Sequence, residues 1–433
     1  MRMVSRLVFA LGLFLALAGL LPAGALAQAK PVTITFWDAE PADLVKLRME
    51  ILKGFEAKYP HIKINYLNIP YAEARQKLVT AAATKTLPDT MFFQATWLGE
   101  FAAMGELLDL GPYAEKWPGG KNLLPQVFSV GKAYKNTLYY LPSEFQIDAL
   151  FYRTDWFKEA GIKGPPTNWA EFLDAAKKLT DPAKKKFGYQ ANGNWYRDIG
   201  WIVLTGKREF DNIIDPKKSQ FGNPDVVKML QTVAYDLPHV DKAAPNPTDT
   251  SGANTINTGA CAMKYEGAWF LPQLNTPQLR EQKKEIVFDV VRMPKGAGAG
   301  RPHRGWGEGL CLGKTNKTEA SWRFASYLVG EEGNKLYCEL TGRIPSNLAL
   351  AQSWWLPRAK ELYGIENAKA FLDAFKEGQI DVVSGVPRSK MWAEVVKPTG
   401  WDVINAGTAK PTEVLPKVDE KLQKLLDDYW KTQ

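Results

Sequence analysis

Apolar and polar residues change their spacing several times in the first hundred positions of the chain. Val32 to Trp37 alternates between the two types and is rich in β-branched residues, which predicts a strand. Leu44 to Tyr59 places apolar residues three or four positions apart, which predicts an amphipathic helix. A strand at Ile62 to Leu67, a helix at Ala72 to Thr84 and a strand at Thr90 to Gln94 follow. This β-α-β-α-β order predicts a parallel, doubly wound sheet.

Polar and aromatic residues follow the carboxyl ends of these predicted strands. Asp38 and Glu40 come directly after the first strand. Gln94 closes the third strand, and Trp97 follows it after two residues. Ligands of doubly wound sheets bind beyond the carboxyl ends of the strands. We therefore expect Asp38, Glu40, Gln94, Thr96 and Trp97 to form one wall of a binding site.

A stripe of polar residues with a period of two lies between positions 143 and 152. Glu144, Gln146 and Asp148 alternate there with apolar residues. Side chains two positions apart on a strand point to the same face, so these three share a face. The pattern is equally compatible with a face toward solvent and a face toward a cleft.

A short apolar run from Ala260 to Tyr265 predicts a brief buried strand. Gly267 then allows the backbone to turn tightly and to pass close to a neighbour. Trp269 follows this turn, where its side chain either projects from the end of the sheet or packs in the core. Two more strands are predicted at Phe187 to Ala191 and at Val287 to Met293.

The first 27 residues have the features of a secretory signal peptide. Arg2 and Arg6 precede an uncharged apolar run, and residues 25–27 form a small-x-small cleavage site. We expect a periplasmic protein that starts near Gln28. Of the formal net charge of +8, the two arginines contribute two, so the remaining chain carries +6. This mild charge lacks a basic run interleaved with aromatics and argues against nucleic-acid binding.

Cysteine and histidine residues are few and scattered. Cys261, Cys311 and Cys338 would allow one disulfide in an oxidising compartment, and the sequence does not assign the pair. The three histidines and three cysteines do not have the spacing of a zinc site. We expect neither a metal nor a cofactor, and the sequence offers no Ser/His/Asp or Cys/His arrangement that would indicate a catalytic residue.

The segment from Thr258 to Trp269 resembles the small-x-Ala-Met-x-x-x-Gly-x-Trp motif of the bacterial extracellular solute-binding proteins of the maltose-binding type. These are the capture subunits of ABC sugar importers. Gly305 to Gly309 is similar to a Gly-Gly-Trp segment of the family, with Arg304 in place of the first glycine. Thr341 to Ser346 is similar to its Gly-x-x-Pro turn. The similar segments occur in the family's order over nearly all of the chain after the signal peptide.

The resemblance implies an α/β fold of the two-lobed periplasmic binding protein type. Each lobe is a doubly wound sheet flanked by helices, and the ligand cleft lies between the lobes. We expect residues 28–143 plus 301–349 in the N-terminal lobe and 144–300 plus 350–433 in the C-terminal lobe. The strand at Val287 to Met293 is expected to return toward the first lobe.

The resemblance also implies a set of ligand contacts. Trp269 would stack on a sugar face, and Trp306 would face the sugar with Glu308 beside it. The stripe of Glu144, Gln146 and Asp148 would face the cleft. Arg343 would either clamp sugar hydroxyls or form an ion pair between the lobes. Trp195 and Tyr196, on a predicted loop, would add a wall from the second lobe.

These residues suit a saccharide, because aromatic rings cover its C–H faces and charged or amide groups bind its hydroxyls. We expect a monomeric protein that captures a disaccharide or short oligosaccharide by hinge closure and delivers it to ABC permease subunits. A protein of the same fold for a polyol, a glycerol phosphodiester or a cationic solute is the alternative. A glycoside hydrolase, which needs two carboxylates across a cleft, is less favoured.

Overall fold

Two β-sheets, each with five strands, organise the structure. The computed structural model describes residues 30–40, 42, 44–123, 128, 131–132, 134–144, 146–191, 199–249, 251–275, 277–296, 304–306, 308–341, 343–377, 379–380 and 385–432. The strands are β1 (Val32–Asp38), β2 (Ile62–Asn68), β3 (Thr90–Gln94), β4 (Leu141–Pro142), β5 (Gln146–Arg153), β6 (Met263–Gly267), β7 (Phe288–Val291), β8 (Arg304–Trp306), β9 (Glu308–Leu312) and β10 (Gln379–Ile380).

Helices cover the faces of both sheets. The α-helices are α1 (Val45–Lys58), α2 (Tyr71–Ala83), α3 (Leu98–Ala103), α4 (Gly111–Ala114), α5 (Thr154–Glu159), α6 (Trp169–Lys178), α7 (Pro224–Leu230), α8 (Leu271–Leu274), α9 (Pro277–Glu281), α10 (Thr318–Val329), α11 (Glu331–Thr341), α12 (Leu348–Leu350), α13 (Leu356–Tyr363), α14 (Lys369–Glu377), α15 (Arg388–Met391), α16 (Asp402–Asn405) and α17 (Pro411–Lys431). Single turns of 3-10 helix at Ala95–Trp97 and Ala268–Phe270 follow β3 and β6.

The first sheet has the order β2-β1-β3-β9-β4. β1 is parallel to both β2 and β3, which confirms the parallel arrangement predicted from the alternation of elements. β9 joins antiparallel to β3 and places Glu308 opposite Gln94. The carboxyl ends of β1, β2 and β3 and the start of β9 therefore meet at one edge of this sheet.

Phe36 of β1, Phe55 of α1 and Phe324 of α10 hold the helices on one face of the first sheet. All three side chains are fully buried. The ring centroids of Phe36 and Phe55 lie 5.1 and 5.0 Å from that of Phe324. Burying a phenylalanine contributes roughly 1.5–3 kcal/mol. This packing holds α1 and α10 against the first sheet.

The second sheet has β5 at its centre, antiparallel to β6, β7 and β8, with β10 beside β8. The expectation that the strand at Val287 to Met293 returns to the first lobe was wrong, because β7 pairs with β5. The predicted strand at Phe187 to Ala191 was also wrong. In this segment Phe187 forms an isolated β-bridge with Cys261, and the pairing does not extend into a strand.

Within the described residues, the chain passes from one lobe to the other at three places. The first crossing lies between Pro142 and Gln146, since β4 belongs to the first sheet and β5 to the second. The second lies between Trp306 of β8 and Glu308 of β9. This change of sheet comes a few residues after the boundary predicted at residue 301. The third lies between α11, which packs on α1, and α12. Ile344, in this third crossing, already packs in the core of the second lobe.

The lobes touch beyond these crossings. α15 of the second lobe packs against the 3-10 turn at Ala95–Trp97 of the first lobe. Among the described residues, no helix combines the length and the hydropathy that are needed to cross a bilayer.

Candidate ligand cleft

Arg48 of α1 organises the carboxyl end of β1. Its Nε donates to Oδ2 of Asp38 at 2.7 Å, and its Nη2 lies 2.5 Å from Oε1 of Glu40. The guanidinium lies between two rings, 5.8 Å from the centroid of Phe36 and 4.7 Å from that of Tyr337. Sequence reasoning missed Arg48, although a signal was present. It lies four residues after Leu44 and three before Ile51, on the apolar side of the predicted helix, where a charge needs a buried partner.

Asp38 and Glu40 are therefore ion-pair partners of Arg48. They are only 1% and 7% exposed. Burial raises the pKa of Asp38 to about 6, with Arg48 opposing the shift and Glu40 adding to it. Burial also acts on Glu40, but the guanidinium groups of Arg48 and Arg343 hold the pKa of Glu40 below its usual value. Both carboxylates lie at the carboxyl edge of the first sheet, where the sequence predicted them, but they are buried there.

Gln94, Glu308 and Tyr71 form the more exposed part of this edge. Nε2 of Gln94 donates to the hydroxyl of Tyr71 and lies 3.5 Å from Oε1 of Glu308. Tyr71 begins α2 and is 49% exposed. It is a second residue that sequence reasoning missed, since it opens the helix after β2 and lies at the same edge.

Arg343 binds carboxylates of the first lobe and the first crossing. Its Nη1 donates to Oε2 of Glu144 at 2.7 Å and contacts the Tyr337 hydroxyl, while its Nη2 lies 3.9 Å from Oε2 of Glu40. The sequence left open whether Arg343 clamps a ligand or forms an ion pair, and these contacts are those of an ion pair. Burial, and then the charge of Glu144, raise the pKa of Glu308 to about 8, while Arg343 opposes the shift.

Trp269 lies where the two lobes meet. It follows β6 in a 3-10 turn and is partly buried. Its side chain packs on the cluster of the second lobe that contains Phe270 and on the cluster of the first lobe that contains Phe92 and Trp97. A contact to both lobes from one aromatic side chain is the geometry that a closing cleft needs.

Asp148 and Trp97 lie deeper than the sequence predicted. Asp148 is fully buried, and its Oδ2 accepts a hydrogen bond from the Tyr265 hydroxyl at 2.8 Å. Trp97 is 5% exposed and packs edge to face on Phe92 and Phe93, at centroid distances of 6.1 and 5.5 Å. The 3-10 turn after β3 folds this indole back onto the strand, so Trp97 belongs to the core.

The remaining predicted contacts are described in part or not at all. Gln146 and Trp306 are opposite each other in the register of β5 and β8, which brings their backbones together at the crossings. Their side chains lie outside the described part of the structure, and so do the whole residues Trp195 and Tyr196.

Cys261, Cys311 and Cys338 are buried free thiols. Burial raises the pKa of each of them, so the reactive thiolate is disfavoured. Within the described ranges, histidine, cysteine and carboxylate side chains form no group that could hold a metal ion.

Comparison with known proteins places this chain among binding proteins. Residues 50–363 match the model of the family described as bacterial extracellular solute-binding protein. The chain is 27% identical over 253 residues to the lactose-binding protein of Rhizobium radiobacter. The aligned residues cover 54% of this chain and 56% of that protein.

Two solved structures have the same fold. An ABC substrate-binding protein from Listeria monocytogenes in complex with cycloalternan superposes with a TM-score of 0.78 at 22% identity, covering 92% of this chain and 100% of that one. A solute-binding protein from Thermotoga lettingae bound with alpha-D-tagatose gives a TM-score of 0.77 at 23% identity, covering 91% and 99%. The two-lobed α/β fold predicted from the sequence is confirmed. Because the family model matches well over half of the chain, the protein belongs to the bacterial extracellular solute-binding proteins.

Proposed function

We propose that the protein captures a saccharide, a disaccharide or short oligosaccharide, in the cleft between its lobes and delivers it to the permease of an ABC transporter. The observation that carries this proposal is the position of Trp269, which contacts apolar clusters of both lobes. An aromatic ring in this position stacks on the C–H face of a sugar and gains contacts only when the lobes close.

The charges at the cleft edge favour an uncharged ligand. Asp38, Glu40 and Glu144 each accept from a guanidinium group and are at most 7% exposed. A ligand that reaches this edge therefore meets the amide of Gln94 and the hydroxyl of Tyr71 first. These groups donate and accept hydrogen bonds without charge, as the hydroxyls of a sugar require. A polyamine or a phosphodiester would need unpaired charges of the opposite sign.

The carboxyl groups also argue against a hydrolase. Glycosidases hold their two carboxyl groups about 5–10 Å apart, with the glycosidic bond between them. Glu144 and Glu308 instead hydrogen-bond each other and leave no space for a sugar between them. We therefore assign no catalytic role to this pair. The ligands named for the proteins from Rhizobium radiobacter and Listeria monocytogenes, lactose and cycloalternan, support the same substrate class.

The proposal includes the setting of the protein. We propose that residues 1–27 direct export, that the chain acts as a periplasmic monomer, and that the closed form docks on permease subunits. We propose lobes of residues 28–143 plus 308–341 and 146–306 plus 348–433, joined by the three crossings. Each crossing absorbs part of the hinge motion.

A thermal-shift screen after native mass spectrometry tests the function. The panel contains mono- and disaccharides, maltotriose, mannitol, glycine betaine, spermidine and glycerophosphoglycerol. A ligand at 100 times its Kd stabilises by about 2.7 kcal/mol, which shifts the melting temperature measurably. We expect a shift with a saccharide and no product after hours of incubation. A shift with only spermidine, betaine or the phosphodiester contradicts the proposal, and so does turnover of any glycoside.

A further inference from the structure

Each of the three crossings contributes one ionisable side chain to the same place. Glu144 comes from the first crossing, Glu308 directly follows the second, and Arg343 lies on the third. In the proposed function, the crossing segments change conformation when the lobes close. Side chains that link the crossings therefore affect the hinge motion directly.

The backbones of the crossings are tied to one another. The amides of Ser143 and Glu144 both donate to the carbonyl of Glu308, at 3.0 and 3.3 Å. Glu144 also forms a β-bridge with Pro345. The carboxamide of Asn334 donates to the Ser143 carbonyl, and its oxygen accepts from the amide of Ser346 at 3.1 Å. The three segments therefore meet as one unit.

The side chains add a carboxyl pair to this unit. Glu308 hydrogen-bonds Glu144, which in turn accepts from Arg343 at 2.7 Å. Two ionised carboxylates cannot hydrogen-bond each other, since both would be acceptors. One of the pair must carry a proton, and Glu144 is the one that is paired with the guanidinium.

The groups around Glu308 are consistent with this assignment. Glu144 and Glu40 repel a negative charge on it, and Arg343 attracts one. Gln94 of β3 contributes only a neutral amide. Arg48 of α1 is already paired with Asp38 and Glu40, so its charge is compensated. Burial, and then the charges of Glu144 and Glu40, raise the pKa of Glu308 to about 8, while Arg343 opposes the shift.

We propose that a proton on Glu308 closes a clasp between the first and second crossings, which Arg343 extends to the third, and that loss of this proton loosens the hinge. Proton loss places two carboxylates against each other, and one of them, Glu144, is only 1% exposed. The contact between the crossings then weakens as pH rises toward 8 and stays weak above it. A single proton changes the equilibrium by at most tenfold per pH unit. The clasp does not depend on which solute the cleft binds.

Carbon-13 NMR of the ligand-free protein, with labelled glutamate side chains, locates the proton. We expect one carboxyl resonance that titrates above pH 7 and that is absent in Glu308→Gln. If Glu308→Gln does not fold, Glu308→Asp moves the same resonance out of the glutamate region. The proposal is overturned if no glutamate titrates above pH 7, or if the resonance persists in the variant.

Hydrogen exchange tests the effect on the hinge. Protection factors for the amides of Ser143 and Glu144, corrected for the intrinsic rate at each pH, are compared at pH 6.5 and 8.5. We expect at least a tenfold loss in the parent protein. Glu308→Gln, whose amide does not titrate, should show less than a twofold change. Glu420→Gln removes an exposed carboxylate from α17 and should behave like the parent. Equal losses in the parent and in Glu308→Gln refute the clasp.

Discussion

The indole of Trp269 lies directly over the backbone of Gly267. A Cβ atom at Gly267 would be 2.8 Å from Cδ1 of the ring and 3.2 Å from Oδ1 of Asp148. The backbone of Gly267 is extended, with a φ of −80°, so a side chain is excluded by space and not by conformation. The Gly-x-Trp pair is thus one unit, in which the glycine sets the position of the indole between the lobes.

Replacing Trp269 with alanine should weaken saccharide binding at least tenfold, in addition to the stability lost with its packing on the two clusters. The ring stacks on the ligand in the proposed function, and loss of one stacking aromatic costs about 1.5 kcal/mol or more. Calorimetric titration with the saccharide from the screen measures the loss. Trp322→Ala, on α10 of the first lobe, removes a tryptophan that packs on Tyr113 and Trp117 and should keep the affinity of the parent. Equal affinities of Trp269→Ala and the parent would remove Trp269 from the site.

Gly267→Val should weaken binding through the same indole without touching the ligand. The added side chain displaces the ring, because contacts under 3 Å cannot be kept. We expect a loss of affinity comparable to that of Trp269→Ala. In the double variant the two effects should not add, since the ring that valine displaces is gone. Additive losses in a double-mutant cycle would show that Gly267 acts in another way.

The parallel strands of the first sheet could be predicted from the sequence because their elements are local. Spacing alone defines β1, α1, β2, α2 and β3. The contacts of Gln94 with Glu308 could not be predicted, since the partner is more than 200 residues away and joins through an antiparallel strand. The position of Trp97 was misjudged for a related reason. The rule that ligands bind beyond the carboxyl ends of the strands placed Trp97 at the edge of the sheet. The 3-10 turn at Ala95–Trp97, which directs the ring inward, has no signal in the sequence.

Arg48→Met should destabilise the protein by about 3–5 kcal/mol. The substitution leaves Asp38 and Glu40 buried without their shared guanidinium, and an uncompensated buried charge is costly. Urea unfolding followed by fluorescence measures the change. The triple variant Asp38→Asn, Glu40→Gln, Arg48→Met removes the stranded charges and should regain part of the loss. A triple variant less stable than Arg48→Met would contradict the charge argument.

Arg388 and Glu209 should contribute in the same way to the second lobe. Both side chains are 1% exposed, Nε of Arg388 lies 2.5 Å from Oε2 of Glu209, and Trp392 Nε1 donates to Oε1 at 2.6 Å. Arg388→Met should cost about 3–5 kcal/mol. Lys390→Met, on the same short helix, breaks only an exposed pair with Glu394 and should cost at most about 1 kcal/mol. Similar costs for the two variants in urea unfolding would refute the role of burial.

Asp89 should make the first lobe sensitive to acid. Its carboxylate accepts from the Thr315 hydroxyl at 2.6 Å, from the Thr35 amide at 2.8 Å and from Lys317 Nζ at 3.2 Å. Burial opposes ionisation, but these hydrogen bonds hold the pKa of Asp89 below its usual value. A carboxyl with a lowered pKa in the folded state stabilises above its unfolded pKa of about 3.9 and loses that contribution as pH falls through the folded pKa.

Asp89→Asn should therefore be less stable than the parent at pH 7 and should approach it as pH falls below about 4. The difference between their urea midpoints at pH 7, 5, 4 and 3 measures this convergence. Asp215→Asn is the control, since it removes an exposed carboxylate whose ion pair with Lys217 is screened by solvent. Its midpoint should follow that of the parent at every pH. A gap between Asp89→Asn and the parent that stays constant from pH 7 to 3 would mean that the asparagine fails for steric reasons, because only a titrating carboxylate makes the gap depend on pH.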